Sequence, residues 1–156
     1  MLSVRISIFE IRIGTRLLVT APPITINFMS KTVIATDKAP AAIGPYSQGI
    51  RTGNLIFTAG QIPLDPATQE LVAGGIAEQT TRVLENLKAV LEAAGSSLDR
   101  VVKANVYLKT FDDFAAMNAV YSKYLGADGA PPARTTIEVP SLPRNALLEI
   151  EFVAEV

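Results

Sequence analysis

The sequence of 156 residues contains no histidine and no cysteine. Without histidine it lacks the side chain that titrates nearest neutral pH and the commonest nitrogen ligand of metals. Without cysteine it lacks the thiol nucleophile, the thiolate ligand and any disulfide framework, which fits a reducing compartment. Any catalyst must be built from Arg, Glu, Asp, Lys, Tyr or Ser. An excess of one charge is missing too: 14 Lys+Arg stand against 15 Asp+Glu. Nothing in that balance favours condensation onto a phosphate backbone or an anionic membrane, so nucleic acid is not an expected partner. No apolar run reaches the length that spans a bilayer.

What is present is a chain with 49% hydrophobic residues, the size of one ordinary globular domain. At this length roughly two thirds of the unfolded surface can be buried. The first 28 residues read differently from the rest. Val4, Ile6 and Ile8, then Ile11 and Ile13, alternate with polar residues, and Arg5, Arg12 and Arg16 face a single acid, Glu10. A secretory signal wants an uninterrupted apolar core, and a transit peptide is Ser-rich and helically amphipathic; the segment fits neither pattern well. The domain is expected to start at Met29, with residues 1–28 an appendage or an over-called start. Organelle targeting is the alternative, and the chain is otherwise read as cytoplasmic.

From Met29 onward the signals are regular. Thr32 to Thr36 is a β-branched run, and the loop from Ala39 to Tyr46 is punctuated by two prolines and a glycine. Ser47–Thr52 and Leu55–Ala59 flank Gly53-Asn54, a hairpin signature because these residues tolerate the positive φ of a two-residue turn. Gly60 to Pro66 breaks the alternation and opens a surface loop. Between Gly75 and Ala94, Ile76, Val83, Leu84, Leu87, Val90 and Leu91 recur at spacings of three and four, predicting an amphipathic helix that stops at Gly95. Val101 to Thr110 reads as a central strand with Val102, Ala104, Val106 and Leu108 on one face. A second helix is predicted from Asp112 to Leu125, carrying Phe114, Met117, Val120, Tyr121 and Tyr124. Strands follow near Thr135–Val139 and Ala146–Ala154.

The economical arrangement is an α+β domain, a mixed sheet with both helices on one face. In the last strand Leu148, Ile150, Phe152 and Ala154 form the apolar set, leaving Glu149 and Glu151 opposite. Taking Ile137 and Val139 as the core-facing residues of their strand puts Arg134 and Thr136 on the other side. Arg134 and Glu149 are then expected together on the helix-free face, the best candidate pair for chemistry. That face is too apolar to stay wet, and a partner chain is expected to cover it. For an arbitrary Arg and Glu on strands, a structural ion pair would be the default.

Ala41-Ala42-Ile43-Gly44-Pro45-Tyr46-Ser47-Gln48-Gly49, Gly60-Gln61-Ile62-Pro63, Asn118, and Pro132-Ala133-Arg134 through Glu149-Ile150-Glu151 occur in an order that resembles the reactive intermediate deaminase family, also called YjgF or RidA. The resemblance runs from about Met29 to the C-terminus. It implies a chorismate-mutase-like α+β fold, homotrimers, and sites between subunits. It also implies hydrolysis of 2-aminoacrylate, 2-iminopropanoate and 2-iminobutanoate to 2-keto acids and ammonia, without cofactor or metal. On that resemblance Arg134 holds the substrate carboxylate, Glu149 activates water and relays a proton, and Tyr46 donates a hydrogen bond. Gly60, Asn118 and Thr136 line the ligand. Ala59 and the Thr135-Thr136 pair depart from the Ser and Cys of many relatives. Family members are also reported as ribonucleases, translation inhibitors and chaperones, and a non-catalytic carboxylate sensor would use the same pocket. A ribonuclease would have to work here without histidine.

Overall fold

The computed structural model describes Val4–Arg5, Thr25–Ile26 and residues 30–126 and 129–156. The chain divides into two units, Met1–Ser30 and Lys31–Val156. In the first, β1 (Val4–Arg5) and β2 (Thr25–Ile26) pair antiparallel, with Val4 opposite Ile26 and Arg5 opposite Thr25. The alternation expected over Ile6, Ile8, Ile11 and Ile13, and the boundary expected at Met29, lie outside the described residues.

The second unit is a six-stranded sheet of β3 (Thr32–Ile34), β4 (Gly49–Thr52), β5 (Leu55–Thr58), β6 (Val101–Leu108), β7 (Ala133–Glu138) and β8 (Leu148–Glu155). Its order is β3-β4-β5-β8-β6-β7, with β6 and β7 parallel and the other neighbours antiparallel. The β4–β5 hairpin closes through Gly53-Asn54, Thr52 opposite Leu55, and Gly53 takes the positive φ of 58° that the turn requires. The last strand in sequence, β8, enters between β5 and β6. That insertion joins the N-terminal hairpin to the parallel pair and places β8 near the middle of the sheet.

Helix α1 (Ile76–Ala93) carries its apolar stripe as predicted: Val83, Leu84, Leu87, Val90 and Leu91 are fully buried. The Glu78 side chain accepts the Gly75 N–H at 2.9 Å and caps the first turn. At the other end Gly95 enters the left-handed region at φ 80°, and the Ser96 N–H reaches back to the Leu91 carbonyl, a Schellman-type stop. Helix α2 (Phe114–Leu125) packs beside α1 on the same face, and Met117, Tyr121 and Leu125 are buried. Together they cover Ile56, Ala104, Val106, Leu108, Leu148, Ile150, Phe152 and Ala154 of the sheet. Burying one such aliphatic side chain contributes roughly 1.5–3 kcal/mol, so this single core is what holds the layers together.

One inward set differs from expectation. The alternation along β6 predicts Val102 in its core row, whereas Val101 is buried and Val102 is 43% exposed. The pairing of β6 with β8 slips by one residue between Val101 and Lys103. A bulge of this kind takes up one residue and exchanges inside for outside at that point, while Ala104, Val106 and Leu108 beyond it keep their predicted side.

Three buried polar residues tie the loops to this frame. Gln48 accepts the Thr36 N–H and donates to the carbonyls of Thr36, Ala39 and Pro40, which fixes the base of the 39–46 loop. On α1, Asn86 donates to the Leu64 carbonyl and Gln79 accepts the Leu147 N–H, each at 2.9 Å. The loop after Gly60 and the turn leading into β8 are thereby held by the same helix.

Candidate functional site

The parity of each strand decides where the candidate residues point. Residues paired across neighbouring strands leave the same side of a sheet. Phe152 pairs with Ala104, and Ala104 with Arg134, so Arg134 shares the row of two core residues and faces the helices. Glu149 pairs with Tyr107, and Tyr107 with Ile137, so Glu149 leaves the opposite face. The expectation that Arg134 and Glu149 share the helix-free face is therefore corrected. Ile137, taken as core-facing, is 44% exposed and points away from the helices. The physical reason lies in α2: at this edge it offers a polar and aromatic stripe, which accepts a guanidinium better than an isoleucine.

That stripe is Phe114, Asn118 and Tyr121, at helix spacings of four and three. Arg134 Nη1 donates to Asn118 Oδ1 at 2.8 Å. Its guanidinium carbon lies 4.6 Å from the centroid of the Tyr121 ring and 5.7 Å from that of Phe114, and Phe111 stacks on Phe114 at 5.8 Å. Cation–π contacts of this kind contribute about 0.5–2 kcal/mol, and a single fork bond leaves the other guanidinium N–H groups for a ligand. Among the described residues no carboxylate lies within salt-bridge distance of Arg134. The structural ion pair with Glu149 is absent. Burial pushes the Tyr121 phenol up, opposed by the Arg134 charge, and its hydroxyl finds no hydrogen-bond partner among the described residues. Thr136 stands two residues along β7 on the side of Arg134, half-buried.

Glu149 belongs to a second cluster on the helix-free face. Gly60 lies against its carboxyl so closely that a Cβ there would overlap Oε1 and come within 2.8 Å of Cδ. The backbone at this point is pinned: Gln61 N–H donates to the Ile150 carbonyl at 2.8 Å, and Ile150 N–H returns the bond at 3.1 Å. Beside Glu149, the Glu151 carboxylate accepts from Asn105 Nδ2 at 2.8 Å and from the Tyr107 hydroxyl at 3.1 Å. Burial, with the Glu151 charge second, pushes the Glu149 carboxyl above the usual carboxylate range. Tyr107 is pushed up as well, by burial first and then by its bond to Glu151, so it remains a neutral donor.

Tyr46 sits apart from both clusters. Its hydroxyl accepts the Ile43 N–H at 3.3 Å, its ring covers Gly44, and it is 52% exposed. One chain thus joins Arg134 with Asn118 and Glu149 with Gly60, and joins neither pair to Tyr46. The Phe114–Tyr121 shelf and the Asn105–Tyr107–Glu151 network were not anticipated. The first was legible as a 114, 118, 121 spacing along one helix face, the second as two alternating strand pairs meeting on one side.

A six-stranded mixed sheet with two helices on one face defines a class of small α+β proteins. The family model described as Endoribonuclease L-PSP matches residues 36–156, and the chain belongs to that family, the YjgF/RidA proteins. It is 59% identical over 126 residues to a RutC family protein of Pyrococcus abyssi, covering 81% of this chain and 98% of that one. It is 48% identical over 127 residues to the 2-iminobutanoate/2-iminopropanoate deaminase of Escherichia coli K12, covering 81% and 98%. Among solved structures, Escherichia coli TdcF with bound serine superposes with a TM-score of 0.76 at 40% identity, covering 80% and 98%.

Proposed function

We propose that this protein is a hydrolytic deaminase of 2-imino and enamine acids, producing 2-keto acids and ammonia. The observation that carries the reading is Arg134, bonded to Asn118 and set over two aromatic rings, with no carboxylate within salt-bridge distance among the described residues. A planar, pre-oriented guanidinium is suited to a substrate carboxylate, each charge-assisted hydrogen bond being worth roughly 1.5–3 kcal/mol. The deaminase of Escherichia coli at 48% identity supports the same chemistry, as does a relative with an amino acid bound.

In this reading water adds to the C=N carbon of the imino acid. Glu149 takes a proton from the attacking water and delivers it to the nitrogen, giving the carbinolamine. It then takes the carbinolamine hydroxyl proton and delivers it to the amino group, so that the C–N bond breaks, ammonia leaves and the carbon becomes a keto group. A carboxyl pushed upward by burial takes a proton more readily than an exposed one and can give it back, so it serves in both directions. Gly60 gives that carboxyl room, Thr136 flanks the bound acid, and Tyr46 donates to it from a neighbouring chain. No metal or cofactor takes part.

The two clusters also favour sites between copies. By strand spacing the Cα atoms of Arg134 and Glu149 are about 14 Å apart, and their side chains leave opposite faces. A three- or four-carbon acid does not bridge them within one copy. The helix-free face offers a row of Val33, Ile50, Phe57 and Val153, with Val33 61% and Phe57 43% exposed, on which further copies would pack as a homotrimer.

The test is the rate of keto acid formation from freshly generated 2-aminoacrylate and 2-iminobutanoate, for wild type and Arg134→Ala of unchanged oligomeric state. The expected result is acceleration by wild type and a loss of about 10²-fold or more in kcat/KM for the variant. No acceleration by wild type overturns the proposal and leaves a carboxylate sensor that binds keto acids through Arg134 without turnover.

A further inference from the structure

The helix-free face holds a feature that the proposed reaction does not itself use: a second glutamate on the same strand. Glu149 and Glu151 are two residues apart on β8, so their side chains rise in parallel from one face, about 7 Å apart at the backbone. Their surroundings differ. Glu151 is gripped by two donors from β6, Asn105 Nδ2 and the Tyr107 hydroxyl, both on the same Oε1. Accepting two bonds and donating none is the arrangement of an ionised carboxylate. Glu149 receives no hydrogen bond among the described residues and is closed on one side by Gly60. Two like carboxyls in a half-buried setting resist being charged together, and Glu149 is the one without donors.

We propose that Glu151 is a positioning residue: clamped by Asn105 and Tyr107, its carboxylate sets the protonation of Glu149 and so the acid limb of the reaction. The inference rests on the reading of Glu149 as the proton carrier. Tyr107 is the hub, because it is the direct cross-strand neighbour of Glu149 and hydrogen-bonds diagonally to Glu151. The direction of the Glu149 shift, burial first and the Glu151 charge second, agrees with this geometry. Among the described residues, Lys103 of β6, Lys109 just beyond its end and Glu155 of β8 are further ionisable groups on this face by strand parity, while Thr135 and Ile137 of β7 and the Gly60–Ile62 segment bring none. Lys103 is turned to the hydroxyl of Thr135 at 2.7 Å, away from the two glutamates.

Glu151→Gln keeps the shape and an acceptor oxygen for both donors and removes only the charge. Two quantities are measured on the full chain: the pH profile of kcat/KM for 2-iminobutanoate, and the carboxyl 13C titration of Glu149, identified by its loss in Glu149→Gln. The expected result is that in Glu151→Gln both move to lower pH together, so that kcat/KM at a pH on the acid limb rises several-fold relative to its plateau. Glu151→Ala, which also removes the charge, moves both in the same direction; it carries the test if the glutamine variant does not fold. A Glu149 titration and an acid limb that stay at their wild-type positions in these variants overturn the proposal. If wild type shows no turnover, the deaminase reading fails by itself, and the carboxyl titration alone still decides whether Glu151 governs Glu149.

Discussion

Gly60→Ala separates position from stability more cleanly than any change to the charged residues. Gly60 does not sit in the left-handed region, so an alanine there carries no backbone strain. What it meets is the Glu149 side chain: overlap with Oε1, 2.8 Å to Cδ and 3.0 Å to Cγ. The backbone cannot retreat, because Gln61 is bonded both ways to Ile150 and the Ala59 N–H is held by the Gln48 carbonyl at 2.9 Å. The glutamate must give instead. Turning a flexible carboxyl into another rotamer costs about 0.5–1.5 kcal/mol, which lowers Tm by a few degrees in a domain of this size. Catalysis is less forgiving, since a displacement of about 1 Å in a reacting group can cost on the order of 10² in rate. The expected outcome is a folded protein with Tm within about 6 °C of wild type and kcat/KM reduced about 10²-fold. Calorimetry and the keto acid assay read the two effects, and the same substitution made in Glu149→Gln should then add little further loss. Wild-type turnover by Gly60→Ala would refute the reasoning, because Glu149 would then act from a position it cannot occupy. So would full additivity with Glu149→Gln, which would assign the loss to the ligand instead.

Glu149→Gln gives a second check through stability. The folded carboxyl is raised above its unfolded value, so its favourable contribution is complete below the unfolded value and is lost as pH rises through the folded one. The variant should therefore melt higher than wild type at neutral pH, lose that advantage in acid, and be inactive throughout; a lower Tm at pH 7 would contradict the burial argument. Phe57→Asp addresses assembly. At 43% exposure the residue contributes little to the fold of one copy, but a carboxylate in a covered apolar row should cost on the order of 2 kcal/mol or more per contact. Light scattering should show dissociation with the far-ultraviolet spectrum retained, and activity should fall with it; an unchanged oligomer would remove this face as the interface.

Much of the fold was readable because burial imposes a period. The 76–91 stripe of α1 and the Leu148, Ile150, Phe152, Ala154 set of β8 each declare one face, and Gly53-Asn54 and Gly95 mark turns that need positive φ. What period cannot supply is sign. In Ala133-Arg134-Thr135-Thr136-Ile137-Glu138 alternation separates Arg134 and Thr136 from Thr135 and Ile137 correctly, yet the one large apolar residue, Ile137, points outward. The strand is at the sheet edge, where its helix-side row meets Asn118 and two aromatic rings instead of aliphatic core. The choice of face was therefore made by residues of α2, in sequence well away from β7. The buried Gln48, Gln79 and Asn86 are illegible for a related reason: their partners are backbone groups of remote loops, which no local pattern records.

The corrected face changes what the site requires. Had Arg134 and Glu149 shared one surface, a single copy would hold both the proposed carboxylate anchor and the proposed proton carrier, and association would add only stability. With the sheet between them, each side can be organised separately. α2 holds the guanidinium through Asn118 and Tyr121 with no carboxylate within salt-bridge distance among the described residues, an arrangement that a nearby glutamate would spoil by forming an ion pair with it. The opposite face keeps Glu149 close to another negative charge and apart from the arginine that would hold it ionised. A half-buried carboxyl able to carry a proton and an unneutralised guanidinium are hard to maintain side by side, because each removes the property the other needs. Under the proposed assembly, separating them on one chain and joining them where copies meet would preserve both.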